Sequence, residues 1–217
     1  MSGRFLNRRV AGGMLADRLK PYANRPGVLV LGLPRGGVPV AYELARALDA
    51  ELDVLIVRKL GMPSHPEFAM GAIASGGALY LNEEAVRLGH VSAGALQTVL
   101  EEEQVELKRR EQLYRGSRPP LNLTDRTIIV VDDGMATGAS MRAAVLALRS
   151  GKPARIVVAV PVAPADAGER LAGVADEFVC VQSPAHFHAV GQFYEDFEQT
   201  SDDEVRELLD QSWRVPA

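Results

Sequence analysis

The most informative segment of this chain is Ile128-Ile129-Val130-Val131-Asp132-Asp133-Gly134-Met135-Ala136-Thr137-Gly138-Ala139-Ser140. Four β-forming residues run into two adjacent carboxylates, and small and hydroxyl residues then lead into an amphipathic segment from Met141. This order predicts a strand, a tight loop and a helix N-terminus. Helix N-termini favour phosphate, and two nearby carboxylates suit vicinal hydroxyls and Mg²⁺. The stretch therefore predicts a site for a ribose 5-phosphate.

The same residues resemble the 5-phosphoribosyl 1-pyrophosphate (PRPP) signature of type I phosphoribosyltransferases. The resemblance implies that Asp132 and Asp133 bind the ribose hydroxyls, face the Mg²⁺ cofactor and take part in catalysis. It also implies that the following residues bind the 5-phosphate: Gly134, Met135, Ala136, Thr137, Gly138, Ala139 and Ser140. The chain is most similar to uncharacterised bacterial members of that family, and their acceptor is not defined by the resemblance.

Other phosphate-binding motifs fit the sequence less well. The chain contains no Gly-x-x-x-x-Gly-Lys-Ser/Thr, which argues against a P-loop NTPase, and no Gly-x-Gly-x-x-Gly follows a strand. Within the resemblance, many purine-salvage members carry an Asp where this chain has Ala136. Alanine cannot move a proton, which argues against a guanine-type or hypoxanthine-type mechanism, and the acceptor could be a purine, a pyrimidine or neither.

Apolar runs alternate with helical patterns along the chain, which predicts an α/β fold with a parallel sheet. The resemblance implies a Rossmann-like type I phosphoribosyltransferase core with helices on both faces and a small hood. We expect one domain, 1–217. Its parts would be a core at 27–183, a hood from 1–24 and 184–200, a long helix at 92–115 and a C-terminal helix at 201–213.

A glycine-rich turn, Gly32-Leu33-Pro34-Arg35-Gly36-Gly37, follows the predicted strand Val28–Leu31. Glycines allow close backbone approach to a ligand, and an Arg beside them suits a phosphate contact. The resemblance makes Pro34, Arg35, Gly36 and Gly37 the pyrophosphate-binding loop. It also implies a cis peptide between Pro34 and Arg35.

Arg58 and Lys59 follow the predicted strand Val54–Val57, ahead of a loop at 62–67 that contains two prolines. In the family this region resembles a flexible flap that closes over PRPP. The resemblance therefore makes Arg58 and Lys59 catalytic groups that neutralise the departing pyrophosphate. The alternative is a solvated strand terminus.

The segment 184–197 is rich in aromatic residues and contains Val190-Gly191. By a looser resemblance Phe187 would stack on the base and Glu195 would face the metal. An aromatic cluster that packs the C-terminal helix is an equal alternative. His186 and His188 lack a third spaced ligand, so zinc is not expected.

Composition limits the function classes. A net charge of −4 argues against nucleic-acid and membrane partners. The single cysteine, Cys180, and the polar, Arg-rich residues 1–10 predict a cytoplasmic protein without a signal peptide. The charged runs of the long helix predict a solvated face with i,i+4 pairs, and that helix could also form a homodimer contact.

Three functions remain open from the sequence. The first is transfer of phosphoribose from PRPP to a nucleobase-like acceptor. The second is a sensor that binds PRPP or a nucleotide without chemistry, since one fold supports many functions. The third is a hydrolase or phosphorylase acting on a related sugar phosphate. Retention of Arg58 and Lys59 favours the enzyme.

Overall fold

The computed structural model describes residues 3–63 and 65–214 of the 217-residue chain. The chain divides into two compact units, the first comprising Met1–Leu55, Asp125–Gly138 and Pro153–Ala217 and the second Ile56–Thr124 and Ala139–Lys152. The assignment of one domain stays a prediction. Among the described residues, no helix combines the length and the apolar character needed to cross a bilayer.

The regular elements alternate along the chain. In order they are α1 (Arg8–Leu19), β1 (Val28–Gly32), α2 (Gly37–Leu48), β2 (Glu51–Val54), β3 (Val57–Met62), β4 (His65–Ala74), β5 (Ala78–Leu81), α3 (Glu83–Leu88), α4 (Ala93–Arg115), β6 (Thr127–Val131), α5 (Ala139–Arg149), β7 (Arg155–Val162), α6 (Ala167–Leu171), β8 (Glu177–Gln182) and α7 (Asp202–Arg214).

The first unit is built on a five-stranded sheet with the order β2–β1–β6–β7–β8. All four strand pairings are parallel, which confirms the α/β class with a parallel sheet. Every residue of β1 is buried, as the near-continuous apolar run predicts. The strand order reverses between β1 and β6, because β2 lies on one side of β1 and β6–β8 lie on the other. Ligands of open parallel sheets bind at such a reversal, beyond the carboxyl ends of the strands.

Four helices begin directly after a polar residue that caps their first turn. Asn7, Asn82 and Ser92 each accept a hydrogen bond from a backbone N–H three residues later, and Ser201 accepts one from Glu204 in the same way. These contacts satisfy N–H groups that the first helical turn leaves unpaired. Each of these four helices therefore begins at a side-chain cap.

The second unit contains a three-stranded antiparallel sheet, β3–β4–β5, against which α4 and α5 pack. This corrects two expectations. The apolar run Val54–Val57 is not one strand, since β2 ends at Val54 and β3 begins at Val57. Arg58 and Lys59 accordingly lie within β3 instead of after a strand. The expected loop at 62–67 is largely replaced by the hairpin of β3 and β4, because Leu60 is buried between the exposed Lys59 and the half-buried Gly61 and extends the strand pattern.

The charged face of α4 is only partly a solvated surface with local pairs. Glu106 pairs with Arg109 and Arg110 at i,i+3 and i,i+4, as the spacing predicts. Glu103 instead accepts a hydrogen bond from Arg58 of β3 over 2.6 Å. Spacing along one helix cannot indicate such a partner, because it comes from another element.

Candidate functional site

The loops after β1 and β6 lie against each other at the reversal of strand order. The N–H of Leu33 donates to the carbonyl of Val131 over 2.8 Å, which carries the pairing of the two strands into their loops. A Cβ atom at Gly37 would lie 2.6 Å from the Val131 carbonyl oxygen and 2.9 Å from the Asp132 Cα. Only glycine fits this approach, and the sheet topology thereby brings the glycine-rich turn to the acid pair.

The glycine-rich turn has the backbone that the sequence predicted. The peptide between Pro34 and Arg35 is cis, which confirms that expectation. A Cβ atom at Gly36 would overlap the carboxylate of Asp133. The side chain of Arg35 extends to Asp202, with 3.8 Å between Nη1 and Oδ1. The turn therefore contacts Asp133 through its backbone, while its arginine reaches the start of α7.

The two adjacent aspartates have different partners. The Oδ1 atom of Asp132 accepts a hydrogen bond from the backbone N–H of Asp133 over 2.9 Å. Burial, assisted by the charge of Asp133, raises the pKa of Asp132 well above its ordinary value. Burial also raises the pKa of Asp133, against the opposing effect of the Arg8 guanidinium. Burial thus leaves the ionised carboxylates short of compensating partners, which a bound cation or hydroxyl donors would supply.

Two residues that the sequence analysis did not assign hold Asp133. Arg8 Nε donates to Asp133 Oδ2 over 2.8 Å, and the side chains are only 12% and 15% exposed. The hydroxyl of Tyr194 donates to the backbone carbonyl of Asp133 over 2.5 Å, and burial raises the pKa of that phenol. One signal for Arg8 was available: a cation in the first turn of a helix is unfavourable for the helix dipole. Nothing in the sequence distinguished Tyr194 from the other aromatic residues of its segment.

The remainder of the signature loop is anchored through its backbone. The N–H of Met135 donates to the Val162 carbonyl over 2.9 Å, and Arg170 donates to the carbonyl of Ala136 over 2.9 Å. Gly134 is closed in by the side chain of Val190. Gly138 has a φ of +76°, in the left-handed region that favours glycine. The loop is therefore held in place, while Ala136 and Thr137 stay exposed.

Ala139 and Ser140 are exposed and form the start of α5, which belongs to the second unit. The expected order of strand, loop and helix N-terminus is present. The roles of these residues in phosphate binding stay predictions.

Segment 184–197 forms an aromatic cluster. The ring of Phe187 stacks on Phe193 with centroids 5.3 Å apart, and both pack against a buried cluster that includes Phe5 and Tyr194. Glu195 is exposed, and its N–H donates to the carbonyl of Phe5. It is Tyr194, not Glu195, that contacts Asp133. Base stacking by Phe187 and metal binding by Glu195 therefore stay predictions.

Arg58 and Lys59 lie in the second unit. The Arg58 guanidinium is engaged by Glu103 in an ion pair of 2.6 Å, with side-chain exposures of 29% and 23%, and Lys59 is exposed. The proposed contact of both residues with pyrophosphate stays a prediction.

Comparison with known proteins agrees with the signature. A family model described as the phosphoribosyl transferase domain matches residues 8–198. Rv0571c of Mycobacterium tuberculosis, which bears a provisional phosphoribosyl transferase name, is 49% identical over 210 residues, or 97% of this chain and 47% of its own length. The chain thus spans about half the length of the curated relatives it matches.

More distant relatives and a solved structure extend the comparison. A bifunctional protein PyrR from Ralstonia nicotianae is 32% identical over 147 residues, which cover 63% of this chain and 82% of that protein. The crystal structure of TT1426 from Thermus thermophilus is 45% identical with a TM-score of 0.86, covering 96% of this chain and 98% of that one. The same fold is therefore seen in an experimental structure over nearly the whole chain.

Proposed function

The chain belongs to the phosphoribosyl transferase family, and we propose that it transfers a phosphoribosyl group from PRPP to a nitrogenous base or similar acceptor. The acceptor nitrogen would bond to C1 of the ribose as the C1–O bond to pyrophosphate breaks, with inversion at C1. The observation that carries the proposal is the contact of Gly36 and Gly37 with the acid pair at the reversal of strand order.

Each part of that contact suits one part of PRPP. Asp132 and Asp133 would accept hydrogen bonds from the ribose hydroxyls, and the loop from Gly134 to Ser140 would bind the 5-phosphate through backbone N–H groups. The turn at Pro34–Gly37 would hold the pyrophosphate. Arg58 and Lys59 would neutralise charge on that leaving group, a role implied by family resemblance.

Mg²⁺ fits these residues as a cofactor held jointly with the donor. Among the residues that the structure describes, no group of three or more His, Cys, Asp or Glu side chains could hold a metal ion. Mg²⁺ commonly binds through one or two carboxylates plus substrate phosphates. Asp132 and Asp133 would supply those carboxylates, and the bound ion would neutralise charge on the pyrophosphate.

Calorimetry with PRPP, in the presence and absence of Mg²⁺, tests donor binding, and a pyrophosphate-release assay across the common nucleobases then tests transfer. Asp133→Asn should weaken PRPP binding. Asp17→Asn is the matched control, because Asp17 is an exposed residue of α1. Absence of PRPP binding by the unmodified protein would refute the proposal.

A PRPP or nucleotide sensor is the second candidate. The observation in its favour is the engagement of Arg58 by Glu103, which leaves that cation already neutralised. Tight PRPP binding without pyrophosphate release for any acceptor would favour the sensor.

A further inference from the structure

Arg8 is held from three sides at the acid pair. Its Nε donates to Asp133 over 2.8 Å, its Nη1 donates to the Glu198 carbonyl over 2.6 Å, and its Cζ lies 4.0 Å from the centre of the Phe197 ring. A planar guanidinium satisfies all three contacts, since it stacks on a ring while its edge donates. The charge of Arg8 is therefore fixed in position and only slightly exposed.

This guanidinium also lies against the glycine-rich turn. A Cβ atom at Gly36 would be 3.2 Å from Arg8 Nε, beside its overlap with the Asp133 carboxylate. Arg8, Asp133 and Gly36 thus form one contact, with the arginine contributed by α1. The arrangement does not serve the helix, because Arg8 occupies the first helical position, where a cation is unfavourable.

We propose that Arg8 is a positioning residue for the acid pair: it holds the Asp133 carboxylate against Gly36 and supplies the counter-charge that keeps a free divalent cation from binding there ahead of the donor. The proposal rests on the proposed function insofar as the donor is PRPP. It predicts that loss of the charge has opposite effects on the two ligands. Free cation should bind more tightly, because Asp133 is no longer compensated, and the donor should bind more weakly, because Asp133 is no longer oriented.

The first probe is Mn²⁺ in the absence of any other ligand. Its affinity is measured from the electron paramagnetic resonance signal of the unbound ion during a titration. We expect Arg8→Gln to bind Mn²⁺ at least about tenfold more tightly than the unmodified protein, because the repulsion of the ion by an adjacent cation is lost and grows as the site is shielded from water. The double variant Arg8→Gln/Asp133→Asn should lose the gain, which locates it at Asp133.

Arg9→Gln is the matched control. It removes the same charge one position away, where Arg9 is 51% exposed and contacts Glu43 instead of the acid pair. Its Mn²⁺ affinity should equal that of the unmodified protein. An equal gain in Arg9→Gln would mean that only the general field of the protein matters, and the proposal would be overturned.

Calorimetry with PRPP and Mg²⁺ is the second readout. Arg8→Gln should bind this donor about tenfold more weakly. A merely structural role for Arg8 would weaken both ligands together or leave both unchanged, and either result would overturn the proposal. If Arg8→Gln does not fold, Arg8→Lys retains the charge but not the planar fork. It should then show weaker donor binding with unchanged Mn²⁺ affinity, and equal donor affinity would refute the role of Arg8.

The two proposals fail separately. If the unmodified protein does not bind PRPP, the proposed function is wrong, and the Mn²⁺ measurements still decide whether Arg8 compensates Asp133. If PRPP binds and Arg8→Gln changes neither affinity, only the role of Arg8 is wrong.

Discussion

Carboxylates at the two ends of the parallel strands have opposite pKa shifts. At the carboxyl ends of the strands, burial raises the pKa of Asp132 and of Asp133. At the amino end of β8, Glu177 accepts hydrogen bonds from Tyr22 over 2.6 Å and from Arg155 over 2.9 Å, and these bonds lower its pKa. Hydrogen bonds and ion pairs thus do not offset the burial of the two aspartates at the carboxyl ends, whereas they more than offset the burial of Glu177 at the amino end.

This difference indicates which carboxylates serve ligand binding and which serve the stability of the fold. A carboxylate that is desolvated without full compensation weakens the fold but is ready to interact with a ligand. A carboxylate that gains donors on folding contributes to the free energy of unfolding. Substitutions in each region test this contrast.

Gly36→Ala should cause the largest loss, because the new Cβ would overlap the Asp133 carboxylate. We expect PRPP affinity to fall by about 100-fold, and overpacking of this kind costs about 1–3 kcal/mol of stability. Calorimetry and thermal unfolding measure the two effects. Gly13→Ala is the control, since a Cβ there meets no atom within 4 Å. Unchanged PRPP binding in Gly36→Ala would show that the contact between the turn and Asp133 is not needed for binding.

Asp132→Asn and Glu177→Gln should shift stability in opposite directions. The first removes a charge that burial disfavours, so we expect a gain of about 1 kcal/mol at pH 7 together with weaker PRPP binding. The second removes a charge that Tyr22 and Arg155 support. It should lower stability by at most ~1 kcal/mol, because Glu177 is about a third exposed. Denaturant unfolding compares the variants, and shifts of the same sign would contradict the contrast.

Arg58→Gln extends the comparison to the hairpin of the second unit. If the pair with Glu103 serves only stability, a double-mutant cycle with Glu103→Gln should give at most ~1 kcal/mol of coupling, and turnover should not change. If Arg58 acts on the leaving group, turnover should fall in Arg58→Gln and persist in Glu103→Gln. The pyrophosphate-release assay distinguishes the two cases, and equal losses of turnover would mean that the ion pair itself is needed.

Tyr22→Phe should have the smallest effect, confined to the pH dependence of stability. The folded pKa of Glu177 lies below its ordinary value of 4.5. The stability from this group is therefore present above pH 4.5 and is lost as the pH falls through the folded pKa. Without the Tyr22 hydroxyl the pKa should return towards 4.5, so the two proteins should differ more at pH 7 than in acid. Urea unfolding across this range measures the difference, and a constant difference would exclude Glu177 as its cause.

The parallel sheet was predictable because its strands are short apolar runs that need no knowledge of their partners. The hairpin at β3 and β4 was not, because two adjacent cations, the half-buried Arg58 and the exposed Lys59, interrupt the apolar pattern of β3. Pairing with another strand, visible only in three dimensions, defines both strands there. The apolar run Val54–Val57 looks continuous in the sequence, but β2 ends at Val54 and β3 begins at Val57, because the two strands pair in different sheets.

The acid pair, the glycines and hydroxyls that follow it and the apolar strand before it were all predictable from the sequence, because these features depend on neighbouring residues of one segment. The family match and the parallel sheet agree with that interpretation. The surroundings of Asp133 became known from the three-dimensional fold alone. Arg8 comes from 125 residues earlier and Tyr194 from 61 residues later, and contacts across such separations follow from strand order and helix packing instead of any local pattern.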